Sequence, residues 1–199
     1  MVQHREKKLV YVNPDLLEKA AKAAQSQGET VTKFLEEALT QAIKVTAVGC
    51  DLEQSGEFFE IMQAQKILGD TFVPLIVLNY LTELACKEQK EQLSTIWFES
   101  GKWHGKYLKE RFDDDAARAL NSFLVVSRWD LSEVQIKQID ETLRIRCVST
   151  VLTKEATEHL ARFISGIMEG MGYCTIKNEV LKGMIVQDFK QQHIINRQL

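Results

Sequence analysis

Apolar and polar positions follow two periods along this chain, a helical one over most of its length and a strand-like one in short stretches near the C-terminal half. The densest apolar stretch is 71–112, TFVPLIVLNYLTELACKEQKEQLSTIWFESGKWHGKYLKERF. It predicts two helices. The first is apolar nearly all round its start, at Val73, Leu75, Ile76, Val77, Leu78, Tyr80, Leu81 and Leu84. Such a helix is buried on every side or walls a cavity. The second aligns Trp97, Gly101, His104, Gly105, Leu108 and Phe112 on one stripe at helical spacing. Gly101 and Gly105 lie one turn apart, so another backbone can approach closely there.

Earlier in the chain, 8–12 alternates weakly, as a short strand would. Asn13-Pro14-Asp15 is a helix start, with Asn as N-cap and Pro at the first helical position. That helix ends at Gly28. A second begins at Thr30 and carries Phe34, Leu35, Ala38, Leu39, Ala42 and Ile43 on one face. A further helix is predicted over 58–68, closed by Gly69-Asp70. The acidic turn at 113–115 opens another, running through Phe123 and Val126. The period then changes to two. Val134 and Ile136, then Leu143, Ile145 and Cys147, alternate with polar residues as in two antiparallel strands. Lys154 opens the last long helix, whose apolar stripe runs from Leu160 through Phe163, Ile164, Ile167 and Met168 to Met171. Gly166 and Gly170 admit a close neighbour on it. A hairpin of 173–181 and 184–190 around Lys182-Gly183 closes the pattern.

Length and composition narrow the classes. A chain of 199 residues holds one full domain and a small module. At 45% hydrophobic and 27% charged residues it reads as a soluble globular protein. A net charge of −3 does not draw the whole molecule to nucleic acid or anionic membrane. No apolar run reaches the ~18–20 residues of a membrane-spanning helix, and the N-terminus has no apolar signal core. Cys50, Cys86, Cys147 and Cys174 are widely separated, which reads as reduced thiols in a cytoplasmic protein.

Two resemblances add to this. LTELACKEQKEQL, followed by a glycine-spaced helix, resembles the TRAPP family of vesicle-tethering subunits. WFESGKWHGKYLKERF resembles the related 4-vinyl reductase domain family. The two share one ligand-binding fold, and the resemblance spans residues 57–190. It implies an antiparallel sheet packed against long helices around a pocket for an apolar ligand, an acyl chain or a tetrapyrrole precursor. It also implies a role in assembly or delivery, or a peripheral membrane or assembly partner. In the acylated TRAPP subunits the cysteine matching Cys86 carries a fatty acyl chain. Residues 1–46 resemble the ribbon-helix-helix family through NPDLLEKAAKAAQSQGETVTKFLEEALTQAI. That resemblance implies a homodimer, since the strand of such a unit pairs with its twin in a second chain.

The family's groove-facing strand positions fall at Lys7, Leu9 and Tyr11, and its phosphate-holding hydroxyls at Thr30 and Thr32. Leu and Tyr offer little of the donor and acceptor chemistry that reads base edges. Residues 1–45 hold seven basic and six acidic side chains, a net +1 and a poor footprint for phosphate-driven binding. Dimerisation alone and weak DNA binding both remain open.

The chemistry-bearing residues are few. Cys86 is read either as a pocket thiol or as a small core residue. Trp97, His104, Leu108, Phe163 and Met168 complete the expected ligand-binding set. His104 beside Trp97 and Trp103 has no metal-ligating partner at a suitable spacing. The vinyl reductase family ends in a Cys-x3-Gly-x3-Cys-x-Phe pattern. Here Gly183 and Phe189 match, but Glu179 and Gln187 occupy the cysteine positions, which gives no soft metal site. No carboxylate pair sits on an apolar face, so general acid–base catalysis has no candidate. The reading is an α+β homodimer that binds a hydrophobic small molecule without catalysis. The alternative is a ligand-responsive transcription regulator using the N-terminal unit.

Overall fold

The structure is a computed structural model that describes residues 9–112 and 116–192. It is α+β, with six helices and a four-stranded antiparallel sheet among the described residues. The chain divides into two compact units after Gly56.

In the first unit, α1 spans Pro14–Ser26 and α2 spans Val31–Ala47. Each starts where a side chain satisfies a free N–H. The Asn13 side chain accepts from the Asp15 N–H at 2.9 Å, and the Thr30 hydroxyl accepts from the Lys33 N–H at 3.3 Å. Gly28 takes φ +71° in the turn between them, a conformation that favours glycine. Of the strand expected over 8–12, the described residues 9–12 form none. Leu9 to Val12 are exposed and in no ladder. A strand is stabilised by a partner along its edge, and 9–12 has none among the described residues, the expected partner being the same segment of a second chain. Lys7 and Lys8 lie outside the described residues.

The helix α3 spans Leu52–Leu68, six residues longer at its start than the apolar pattern predicts. The added turn is capped by the Asp51 carboxylate, which accepts from the Glu53 N–H at 2.9 Å. After Gly69, α4 runs Leu75–Phe112 and breaks at Gln89, where φ −144° and ψ 48° leave the helical region. The expected two helices are therefore joined end to end. Of the two expectations for the first half, burial on every side or walling a cavity, the first does not hold and the second does, through Leu75 and Leu78. Leu75, Leu78, Thr82 and Cys86 face inward, but Ile76 is 79% and Tyr80 62% exposed. Only one side of this half meets the rest of its unit.

The helix α5 spans Ala116–Ser127, and α6 spans Lys154–Gly170 with Thr153 as N-cap. The strands are β1 Glu133–Ile139, β2 Thr142–Val148, β3 Tyr173–Leu181 and β4 Met184–Gln191, in the order β1-β2-β4-β3. The inward residues of β2 and β4, among them Ile145, Cys147, Ile185 and Phe189, pack with Leu160, Ile164 and Ile167 of α6. Leu120, Phe123 and Leu124 of α5 extend that core.

The glycine spacing explains how α4 meets α6. A Cβ on Gly101 would clash with the Phe163 carbonyl, and one on Gly105 with the Ile167 carbonyl. In return, a Cβ on Gly166 would meet the Phe98 carbonyl and one on Gly170 the Lys102 carbonyl. The two helices approach backbone to backbone, and Lys102 Nζ donates to Glu169 Oε1 at 2.6 Å alongside.

Candidate ligand cavity

A cavity of about 1100 Å3 opens in the second unit, between the end of α3, the 70–74 loop, α4, α5 and the turn after α5. Its walls are mainly apolar. Leu75 and Leu78 come from the inward stripe of α4, and Trp97 from the far side of its break. Phe123 of α5 and Phe163 of α6 form a buried floor. Phe72 and Trp129 pair at 5.6 Å between ring centroids and are well exposed. Trp97 meets Phe163 edge-on at 5.9 Å, so the floor is an aromatic cluster in a favoured geometry.

Of the ligand-binding residues predicted from the sequence, Trp97 and Phe163 line this cavity. The other four do not. Leu108 of α4 and Met168 of α6 are fully buried in the hydrophobic core and are not part of the lining. His104 is buried, and its ring is fully engaged. Its Nδ1 donates to the Ser100 carbonyl at 2.8 Å, and its Nε2 faces both Asp70 carboxylate oxygens at 3.0 Å. Phe123 and Phe163 close edge-on against the ring at 5.5 and 5.0 Å. Both ring nitrogens already face protein partners, Ser100 and Asp70, so the ring is not set against the Ser100 hydroxyl as a base.

Cys86 is half-buried outside the cavity lining. Its Sγ lies 3.1 Å from Nε2 of His159, a residue 73 positions away that sequence spacing did not connect to it. Burial pushes the Cys86 thiol above its ordinary range, against the opposing pull of Lys90. Burial also holds the His159 imidazole below its ordinary range. Both shifts favour the neutral forms, so the contact joins an uncharged thiol and an uncharged imidazole. The pair is not a thiolate–imidazolium nucleophile. The other His159 nitrogen, Nδ1, is buried without a partner. Trp97 stacks on His159 at 6.4 Å and 18°, so the same indole borders the cavity and backs the Cys86–His159 contact.

The polar lining was missed by the sequence reading. Arg128 holds Asp130 in a two-pronged ion pair at 2.9 and 2.6 Å, and Ser127 donates to the Phe123 carbonyl. Arg128-x-Asp130 is the only local pattern that could have suggested part of it.

The remaining predicted residues are not among those that line this cavity. Leu9 and Tyr11 are exposed, and the Thr30 hydroxyl already caps α2. Thr32 is exposed on the first turn of α2. Gln187 is fully buried, donating to the Ala161 carbonyl, Ser165 Oγ and Asn178 Oδ1. Glu179 is exposed and ion-paired with Lys177 at 3.1 Å. Adjacent residues of a strand point to opposite faces, so Glu179 faces away from Asn178 and its cross-strand partner Gln187.

Fold and cavity define an α+β protein with an aromatic-lined pocket of ligand size. The chain matches no protein-family model and none of the curated proteins. No described helix is long and apolar enough to cross a membrane.

Proposed function

We propose that this protein binds a hydrophobic small molecule, without catalysis, in the cavity walled by Trp97, Phe123 and Phe163. The observation that carries this reading is the cavity itself. Ligand pockets are typically ~300–1,000 Å3, mainly apolar, with a few placed polar groups. An apolar-walled opening of about 1100 Å3 with an aromatic floor has the size and lining of such a pocket. The resemblance of 57–190 to the TRAPP and 4-vinyl reductase families supports the same reading and an assembly or delivery role. It suggests an acyl chain or a tetrapyrrole precursor as ligand. The ligand is held non-covalently, since Cys86 lies outside the lining and its thiol is kept protonated.

The N-terminal unit serves, in the same proposal, to join two copies through residues 9–12. Support comes from the exposed, unpaired Leu9, Val10, Tyr11 and Val12 and the exposed Leu39 and Ile43 of α2. The ribbon-helix-helix resemblance assigns these positions to a shared strand pair and its core.

Native mass spectrometry of the purified chain tests the ligand. The expected result is an added mass that is lost on gentle activation, and its disappearance when Phe163 is replaced by Asp. A chain that takes up no apolar molecule, whether from the cell or from added acyl and aromatic probes, overturns the reading.

A further inference from the structure

We infer that the outer side of the first half of α4 docks against the same stripe of a second copy of this chain. This contact belongs to the second unit and adds to the joining of copies through residues 9–12. It does not depend on ligand binding.

Ile76, Val77, Tyr80, Leu81 and Leu84 stand on the side of α4 opposite Leu75, Leu78, Thr82 and Cys86, and all five are exposed. The solvent side of a surface helix is normally polar. Here no charged residue occurs between Asp70 and Glu83, so the outward side is as apolar as the inward one. Phe72 and Val73 are exposed in the loop just before the helix. These side chains together offer on the order of 700 Å2 of apolar surface. That exceeds the ~300–600 Å2 of the largest patch on a typical monomer and is near the ~800 Å2 that each partner gives to a standard interface.

A second copy fits this face better than other occupants. A patch without charge meets its own two-fold image without repulsion. The residues that follow it alternate in sign, Glu83, Lys87, Glu88, Lys90 and Glu91, so neither a strongly acidic nor a strongly basic partner matches its edge. A lipid surface draws an apolar helix face through flanking Lys and Arg, and none occurs between Lys66 and Lys87. Where two copies are already joined through residues 9–12, the second face is present at high effective concentration, and a modest contact suffices. Only this last point rests on the N-terminal joining.

The test is sedimentation equilibrium of the full chain and its variants. Tyr80→Glu and Leu81→Glu change exposed side chains that do not line the cavity, so folding and ligand uptake should be unchanged. Each should weaken the dimer by roughly tenfold or more, because a two-fold contact takes the new charge twice. Leu181→Glu is the control. That residue ends β3, outside the stripe, and at 63% exposure is as open as Leu81 at 54%. Its substitution should leave the dimer unchanged.

Dimer affinity that survives both stripe variants overturns the inference. So does an equal loss in Leu181→Glu. Tyr11→Glu separates the two contacts: a loss there, with none at Tyr80 and Leu81, leaves the N-terminal contact alone standing. An intact chain that sediments as a monomer overturns both contacts and leaves the ligand-binding reading untouched. If the stripe variants keep the dimer but lose binding to vesicles of phosphatidylcholine and phosphatidylglycerol, a lipid surface occupies the face and the inference falls.

Discussion

His159 shows what burial does to a titratable ring. Its Nε2 lies against the Cys86 thiol, its Nδ1 is unpaired, and Trp97 covers its face. The folded ring therefore takes up a proton only below the ordinary imidazole value of 6.5. The unfolded chain, with an ordinary ring, binds that proton first as the pH falls. Unfolding then takes up protons, so stability drops as pH goes below 6.5 and continues to drop until the folded ring also protonates. The melting temperature should fall between pH 7 and pH 5, and His159→Gln should flatten that part of the profile. An unchanged slope in the variant would show that other groups set it. Cys147 is a second buried thiol, with its pKa raised to about 12 by burial, and it is sealed in the core beneath the sheet.

Between helices, the decisive contact is α4 against α6. Four glycines let two carbonyl-bearing backbones meet, and a methyl group at any of them meets backbone that cannot rotate away. Gly105→Ala should lower stability by ~1–3 kcal/mol or more, as overpacking does. For a chain of this size that is a fall of several degrees in melting temperature. Gly56→Ala is the contrasting case. It lies in α3 with nothing within 4 Å of the added Cβ, so it should stabilise by about 0.5–1 kcal/mol. Equal effects of the two substitutions would mean that the α4–α6 approach is not as close as the backbone places it. The break at Gln89 separates this locked half of α4 from the half that supplies Leu75 and Leu78 to the cavity. One helix thus carries a rigid contact and a cavity wall in tandem.

At the scale of the molecule, the two units differ in how much they bury. Ala24 alone is fully buried among the described residues of the first unit, whereas the second holds a continuous core from Ile61 to Phe189. A unit with so little interior gains stability by pairing. The full chain should therefore sediment as a dimer, and removing residues 1–46 should weaken association by at least tenfold. A truncated chain that dimerises as tightly as the full one would place the main interface in the second unit.

Much of this was local enough to read from the chain. The caps at Asn13 and Thr30, the turns at Gly28 and Gly183 and the alternation of Leu143, Ile145 and Cys147 are signals spanning a few residues. So is the inward register of Leu75, Leu78, Thr82 and Cys86, because helical period fixes which side chains share a face. The glycine pairs announced a close approach but not each other as partners. What period cannot supply is the identity of the facing surface. It left the first half of α4 either buried all round or walling a cavity, and only the packing shows that it has neighbours on one side and borders the cavity there. It grouped Leu108 and Met168 with Trp97 and Phe163, though the first two fill the core and the last two border a cavity. The Asp70–His104 and Cys86–His159 contacts join positions 34 and 73 residues apart. Their geometry comes from how α3, α4 and α6 pack, and no short-range pattern in the chain encodes that distance.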